Sequence, residues 1–400
     1  MPALSQALVV SNDKSKPPEG ERMMWKIQLF KLNFDHRERD AVLETVDSGW
    51  LTMGERILGF EAAFGDYLGH GARCTAVSNG TAALHMALLA LDVGQGDEVI
   101  IPALTFVADA NAVRMVGARP VLADCASRSD WNVSAESIAR KITPRTKAVI
   151  VVHYAGFPCD MPAIAALCRE RGLKLVEDVA HAPGASIAGQ MCGTFGDVGC
   201  FSFFSNKNLS IGEGGMVVAC DGNLSQRLRY LRSHGMTTLT LDRHKGRAAT
   251  YDVAEPGLNY RMDEIRAAIG LVQLDKLPAG NLRRKELTER YRRNLAGSPL
   301  QMPFDNLSAD VVSAYHILPV LLPQACDRMG VIEMLKTAGV QSSIHYLPFS
   351  GFTAYREYFT AQDAPLAEEI CSRELTMPLY PTMSDREVDL VTGALLGAVA

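Results

Sequence analysis

Between residues 50 and 220, short apolar runs alternate with segments whose apolar residues recur at helical spacing. That is the pattern of a parallel α/β sheet with helical crossovers. The segment Arg56 to Leu68 places Ile57, Phe60, Phe64, Tyr67 and Leu68 on one helical face. Strand-like runs follow at 98–101, 120–122, 148–152, 173–176, 200–204 and 216–219. Several lack polar alternation, as strands covered on both faces do. Met161 to Arg171 reads as a helix closed by Gly172. After Gly222 the texture changes. A stretch of alternating charges and small residues (233–256) precedes a helix predicted from about Asp263, and the patterns beyond Leu277-Pro278 read as a smaller α+β unit. Four hundred residues exceed what one core usually serves. The expected organisation is a loose polar extension over 1–25, a large domain over 26–275 and a small domain over 276–400.

Composition narrows the function classes. The chain is 48% hydrophobic and 21% charged, with a net charge of −5, which argues for a soluble globular enzyme and against a nucleic-acid or anionic-membrane surface. The basic run Arg283-Arg-Lys285 with Arg290, Arg292 and Arg293 is interleaved with Glu286 and Glu289, and reads as a solvated helix face. Nine cysteines without C-x-x-C spacing suit reduced thiols in the cytoplasm, with neither a disulfide framework nor a metal site. No run of about 18 apolar residues is present to span a membrane, and the first residues lack an apolar signal core.

The chemistry concentrates in two motifs. Lys207 sits in an otherwise uncharged stretch of aromatic and small residues, 29 positions after Asp178 in Glu177-Asp178-Val-Ala-His181. An amine beside an acidic strand end is the minimum apparatus for pyridoxal 5′-phosphate (PLP): the lysine bonds the aldehyde, and the carboxylate keeps the pyridine nitrogen protonated. Desolvation in such a stretch would lower the lysine's pKa. Ser78-Asn-Gly80-Thr81-Ala82 looks like a turn feeding a helix. Alone it is an ordinary N-cap; beside Asp178 and Lys207 it reads as a phosphate site. Phe106 follows a strand end and could stack on a pyridine ring, although such aromatics are usually core. His181 could be a satisfied structural histidine or a partner of the cofactor's phenolic oxygen. Ser202 is a further candidate phosphate donor. Arg243, His244, Lys245, Arg247, Asn259 and Arg261 gather cations on a segment of low apolar content that could meet a diphosphate.

These residues fall in an order that resembles the DegT/StrS-type sugar aminotransferases, which are fold-type I PLP enzymes. The resemblance runs from about Phe30 to the C-terminus, through Ser48-Gly-Trp50-Leu-Thr52-Met-Gly54, Ser78-Asn-Gly-Thr-Ala82, Thr105-Phe106, Glu177-Asp178, Lys207, Gly212-Glu-Gly-Gly215, Asn259-Tyr-Arg261-Met262 and His345-Tyr-Leu-Pro348. It implies a mostly parallel seven-stranded sheet sandwiched by helices, with a smaller C-terminal α+β domain. It further implies Lys207 as covalent anchor and proton shuttle, Asp178 on the ring nitrogen and His181 near the ring. Gly80, Thr81, Ala82 and Ser202 fall on phosphate and Phe106 on the ring face. Asn259 and Arg261 lie on the segment that reaches a neighbouring subunit in a homodimer. Trp50, Thr52, His345 and Tyr346, with Arg243 and His244, become substrate-side candidates. Many relatives follow the His-Tyr-x-Pro motif with an apolar residue and a second histidine, where this chain has Phe349-Ser350. The implied reaction passes an amino group from glutamate or glutamine, through pyridoxamine phosphate, to a nucleotide-diphosphate-linked keto-sugar. A keto-cyclitol acceptor, a PLP-dependent sugar dehydratase and a non-catalytic PLP-binding regulator stay as alternatives. Dehydratases of this scaffold carry histidine in place of the lysine.

Overall fold

Seven strands form the central sheet of the computed structural model, which describes residues 25–238, 246 and 250–399. They are β1 Arg73–Val77, β2 Glu98–Pro102, β3 Arg119–Ala123, β4 Thr146–Val152, β5 Lys174–Asp178, β6 Val198–Ser202 and β7 Gly215–Ala219. Their spatial order is β1-β7-β6-β5-β4-β2-β3. Only β7 runs against the rest, pairing antiparallel with both β1 and β6. Six of the seven correspond to the apolar runs of the sequence. The seventh, β1, has Arg at one end and Thr in its middle, so its apolar signal is weak. Its side chains from Cys74 to Val77 are nonetheless all buried.

Helices cover both faces, as a buried parallel sheet requires. The first four long ones are α1 His36–Asp47, α2 Glu55–Leu68, α3 Gly80–Ala90 and α4 Ala108–Met115. On one face Phe60 and Phe64 of α2 pack against Phe201 and Phe203 with ring centroids 5.0–5.5 Å apart. The N-cap of α2 is Gly54, which has no side chain to act as an acceptor. Buried Glu264 takes over, accepting N–H bonds from Gly54 (2.8 Å), Arg56 (2.8 Å) and Ile57 (3.0 Å), which satisfies donors a helix start otherwise leaves orphaned. The helix Met161–Arg171 ends as its sequence implies, with Gly172 left-handed at φ 67°.

The long helix Glu264–Leu295 runs through position 275, where the sequence suggested a domain boundary. Ala267, Leu274 and Leu277 belong to the cluster around Phe60 and Phe64. Leu287, Tyr291 and Leu295 belong to a second cluster with Leu318, Val320, Leu375 and Leu395. One helix therefore serves both cores, and the change of core falls within it. The C-terminal unit adds a two-stranded antiparallel sheet, Leu318–Leu321 with Glu374–Met377, and helices Arg328–Ala338, Pro365–Arg373 and Asp385–Val399. Ile27 joins this cluster, bridging to Val340. The expected extension over 1–25 lies outside the described residues except for Trp25.

The basic run on the long helix departs from a solvated face. Arg284 is buried and donates to the carbonyls of His316 and Leu379, both at 2.9 Å. Arg283 and Arg290 pair with Asp385, and Arg290 also with Asp389, on the C-terminal helix. These guanidinium groups tie two helices together. Among the described residues all nine cysteines are free thiols, no acidic, His or Cys cluster could hold a metal, and no helix is long and apolar enough to cross a membrane.

Candidate active site

A cavity of about 640 Å³ opens at the carboxyl edge of the sheet, where parallel α/β folds place their ligands. Chain connectivity explains who meets there. The ends of β5 and β6 supply Asp178 and Ser202, the loop after β2 supplies Thr105 and Phe106, and the loop after β1 leads into the N-terminus of α3. Gly80, Thr81, Ala82, Phe106, Asp178, His181, Ser202, Lys207, His345 and Tyr346 all line it. Segments up to 267 positions apart in the chain thus converge on one space.

One end is shaped for an anion. The Asn79 side chain caps α3 by accepting the Ala82 N–H at 2.8 Å, so that N–H is already spoken for by the protein. The other N–H groups of this first helical turn, the Thr81 hydroxyl and Ser202 form the remaining polar surface. Gly80 is required by close approach: a Cβ there would lie 2.8 Å from the Ser202 Cβ and 3.2 Å from its Oγ.

The other end holds the titratable groups. Burial lowers the Lys207 ammonium to about 8, with Asp178 acting in the opposite direction. Lys207 Nζ makes no hydrogen bond or ion pair among the described residues, so the amine is available to a ligand. Asp178 accepts the Ala180 N–H at 2.7 Å. Burial raises its carboxyl, while the Ala180 N–H, Lys207, His153 and a hydrogen bond from Asp109 pull it back down. Phe106 is 54% exposed, not packed in the core, and its ring lies 5.6 Å from that of Tyr346.

His181 lines the cavity with its ring held by protein groups. Its Nδ1 accepts the Ala155 N–H at 3.3 Å and its Nε2 lies 2.8 Å from the Tyr346 hydroxyl. Burial, with Lys207 and His345 nearby, holds the imidazole well below its usual pKa. Both ring nitrogens of a neutral histidine are therefore satisfied by protein groups. The polar group this arrangement presents to the cavity is the Tyr346 hydroxyl. His345 is held by its own backbone N–H on Glu374 (2.7 Å) and its Nδ1 on the Thr376 hydroxyl (2.9 Å), and burial lowers it to about 4.

Not every candidate residue lines this chain's own cavity. Asn259 and Arg261 do not line the cavity; Tyr260, between them, does. The segment bridges to Ser233 through Asn259 and to Val77 through Arg261. That extended pairing sends alternate side chains to opposite sides, and Tyr260 reaches His85 Nδ1 at 3.0 Å. Trp50 and Thr52 also lie off the cavity, with Trp50 packed over Gly54. Arg243, His244, Lys245 and Arg247 fall outside the described residues. At the departing motif, Phe349 is buried among Phe352, Tyr355 and Phe359, and the Ser350 hydroxyl donates to Glu368 at 2.8 Å. Neither faces the site. Among the residues that escaped the sequence reading are Tyr260, His316, whose ring lies 4.5 Å from that of His181, and Asp109, whose carboxyl is influenced by Asp178. The one usable signal was Asp109, a lone charge in the apolar run Phe106 to Val113.

The residues present fit PLP. There is an available amine, a buried carboxylate across the same cavity, an exposed aromatic ring and an anion cup that a Cβ at Gly80 would fill. The comparisons agree. The model of the DegT/DnrJ/EryC1/StrS aminotransferase family matches residues 33–396. The aminotransferase TlmJ from Streptoalloteichus hindustanus is 37% identical, over 94% of this chain and 98% of that one, with a TM-score of 0.85. A putative sugar aminotransferase from Streptococcus pneumoniae, solved in a PMP-form, is 29% identical over 92% of this chain and 97% of that one, TM-score 0.85. PseC of Helicobacter pylori, an aminotransferase of pseudoaminic acid biosynthesis, is 28% identical over 93% and 99%, TM-score 0.86.

Proposed function

Since this chain belongs to the DegT/DnrJ/EryC1/StrS family and is a PLP-dependent aminotransferase, we propose that its acceptor is a keto-sugar carried on a nucleoside diphosphate and its donor glutamate or glutamine. The observation that carries the reading is Lys207 and Asp178 facing one cavity whose far end is a helix N-terminus. The relatives named for sugar amination support the substrate class. Lys207 also speaks against a dehydratase.

When bound, PLP supplies an electron sink conjugated to the carbon that carries the amino group. The chain's own residues do the rest. The first turn of α3, the Thr81 hydroxyl and Ser202 hold the phosphate. Asp178 accepts the ring N–H and keeps that nitrogen protonated. Phe106, exposed in the cavity, would offer its ring to the cofactor, and the Tyr346 hydroxyl would be available to an oxygen of the cofactor ring or the substrate. Lys207 Nζ, neutral in part near pH 8, would serve as the general base that accepts a proton from the substrate carbon and, once charged, as the acid that gives it back, with these roles exchanged in the second half-reaction.

The working unit in this reading is a cytoplasmic homodimer with shared sites. Asn259 and Arg261 turn away from their own chain's cavity, and Leu43, Val46, Leu51 and Leu58 stand exposed along α1, α2 and the loop joining them, as a subunit interface would need. Inactive Lys207→Ala and Arg261→Ala subunits, mixed after mild dissociation, should regain partial activity, because hybrids carry one site with neither defect. No recovery, or a monomer in the active preparation, overturns the shared site. The acceptor is tested with a panel of nucleotide-linked 3-keto and 4-keto sugars and amino-labelled glutamate or glutamine. Label entering a keto-cyclitol and none of the sugars would replace the proposal with that alternative.

A further inference from the structure

Asp178 has a neighbouring carboxyl group that the reaction as written does not use. Asp109, in the first turn of α4, is fully buried. Its Oδ2 accepts the Thr105 hydroxyl at 2.5 Å. Its Oδ1 is buried with no hydrogen-bond partner, and the charge that acts on this carboxyl is that of Asp178. No Lys, Arg or His pairs with Asp109 among the described residues. Two carboxylates cannot share a buried contact with both ionised, and a carboxyl oxygen without a donor is satisfied by carrying a proton itself.

We propose that Asp109 is a positioning residue: a neutral carboxylic acid whose O–H donates to Asp178, holding that carboxylate charged and aimed at the cofactor's ring nitrogen. Burial and the neighbouring Asp178 charge raise Asp109 well above the usual carboxyl range; burial raises Asp178 too, against the downward pull of the Ala180 N–H, Lys207 and His153. Asp178 already accepts the Ala180 N–H, whereas Asp109 Oδ1 has no donor, so the shared proton is placed on Asp109. The hydrogen bond lowers the basicity of Asp178, so that the proton it shares with the pyridine stays on nitrogen. Asn can stand in, since its amide N–H donates from the same place; Ala cannot.

The inference rests on Asp178 meeting the ring nitrogen, and its first test needs no cofactor. Infrared difference spectra of apoenzyme carrying ¹³C-labelled aspartate should show a protonated carboxyl band that Asp109→Asn removes. The label separates it from buried Glu374, which burial raises to about 8. Absence of the band, or its persistence in Asp109→Asn, overturns the proposal. In holoenzyme, Asp109→Asn should bind PLP within about twofold of wild type and keep the ¹⁵N shift of the pyridine nitrogen. Asp109→Ala should bind about tenfold or more weakly, the scale of one hydrogen bond to a charged group, and move that shift toward the unprotonated value. Asparagine as damaging as alanine, or alanine without effect, also overturns it. Failure of the underlying assignment reads out separately, as an unchanged pyridine ¹⁵N shift in Asp178→Asn.

Discussion

The Tyr346 hydroxyl lies 2.8 Å from His181 Nε2, and the Ala155 N–H donates to the ring's other nitrogen. Nδ1 is therefore the acceptor and Nε2 carries the proton, which it donates to Tyr346 Oη. The tyrosine O–H, kept protonated by burial that raises its pKa, is left to donate onward. Tyr346→Phe removes the acceptor and strands a buried N–H. We expect a loss of roughly 1–3 kcal/mol in unfolding free energy, read from urea denaturation. A change below about 0.5 kcal/mol, the scatter of surface substitutions, would remove the tautomer assignment.

The Gly80 contact with Ser202 makes a second expectation. Gly80→Ala would push a Cβ to 2.8 Å from the Ser202 Cβ, filling the anion cup or displacing the strand end. PLP affinity should fall by about tenfold or more, with circular dichroism unchanged, as expected when a charge-assisted hydrogen bond is lost. Affinity within twofold of wild type would show that the phosphate lies elsewhere.

Lys207 sets a pH dependence. Only the neutral amine attacks an aldehyde, and burial brings the ammonium from 10.5 to about 8. The rate of covalent PLP capture by apoenzyme should climb with pH and level off above about 8. A climb that continues to 10.5 would mean an ordinary exposed amine. Borohydride reduction followed by mass spectrometry should place the adduct on Lys207, and Lys207→Ala should carry none.

Asp178→Asn keeps the shape and loses the charge. It should retain PLP through the phosphate cup, yet fall by at least ~10²-fold in turnover, the scale of losing one preorganised electrostatic partner. Turnover near wild type would refute the role of Asp178.

The long helix and the segment around Tyr260 show how far local reading reaches. Met161–Arg171 was legible to the residue, because its cap glycine and apolar spacing act within a few positions. The continuity of the long helix across 275 was not. Pro278 looks like a break, and only packing against two cores carries the helix through it. Asn259 and Arg261 were read as lying on a segment that reaches a neighbouring subunit, and the direction of each depends on pairing with Ser233 and Val77, far away in the chain.

The amino-acid sequence by itself determined the cofactor chemistry and the layered α/β architecture. An amine in an uncharged stretch, an acid at a strand end and a Gly-Thr turn before a helix are residue types that PLP chemistry requires, and burial periodicity is written locally. The tertiary structure alone decided which groups are spent on the protein itself. His181 is consumed by Ala155 and Tyr346, and Ala82 N–H by Asn79. Tyr260 displaces its neighbours from the cavity, and Asp109 comes to rest against Asp178. Hydrogen-bond satisfaction inside a protein is settled between segments distant in sequence, so a residue's availability to a ligand emerges only when those segments meet.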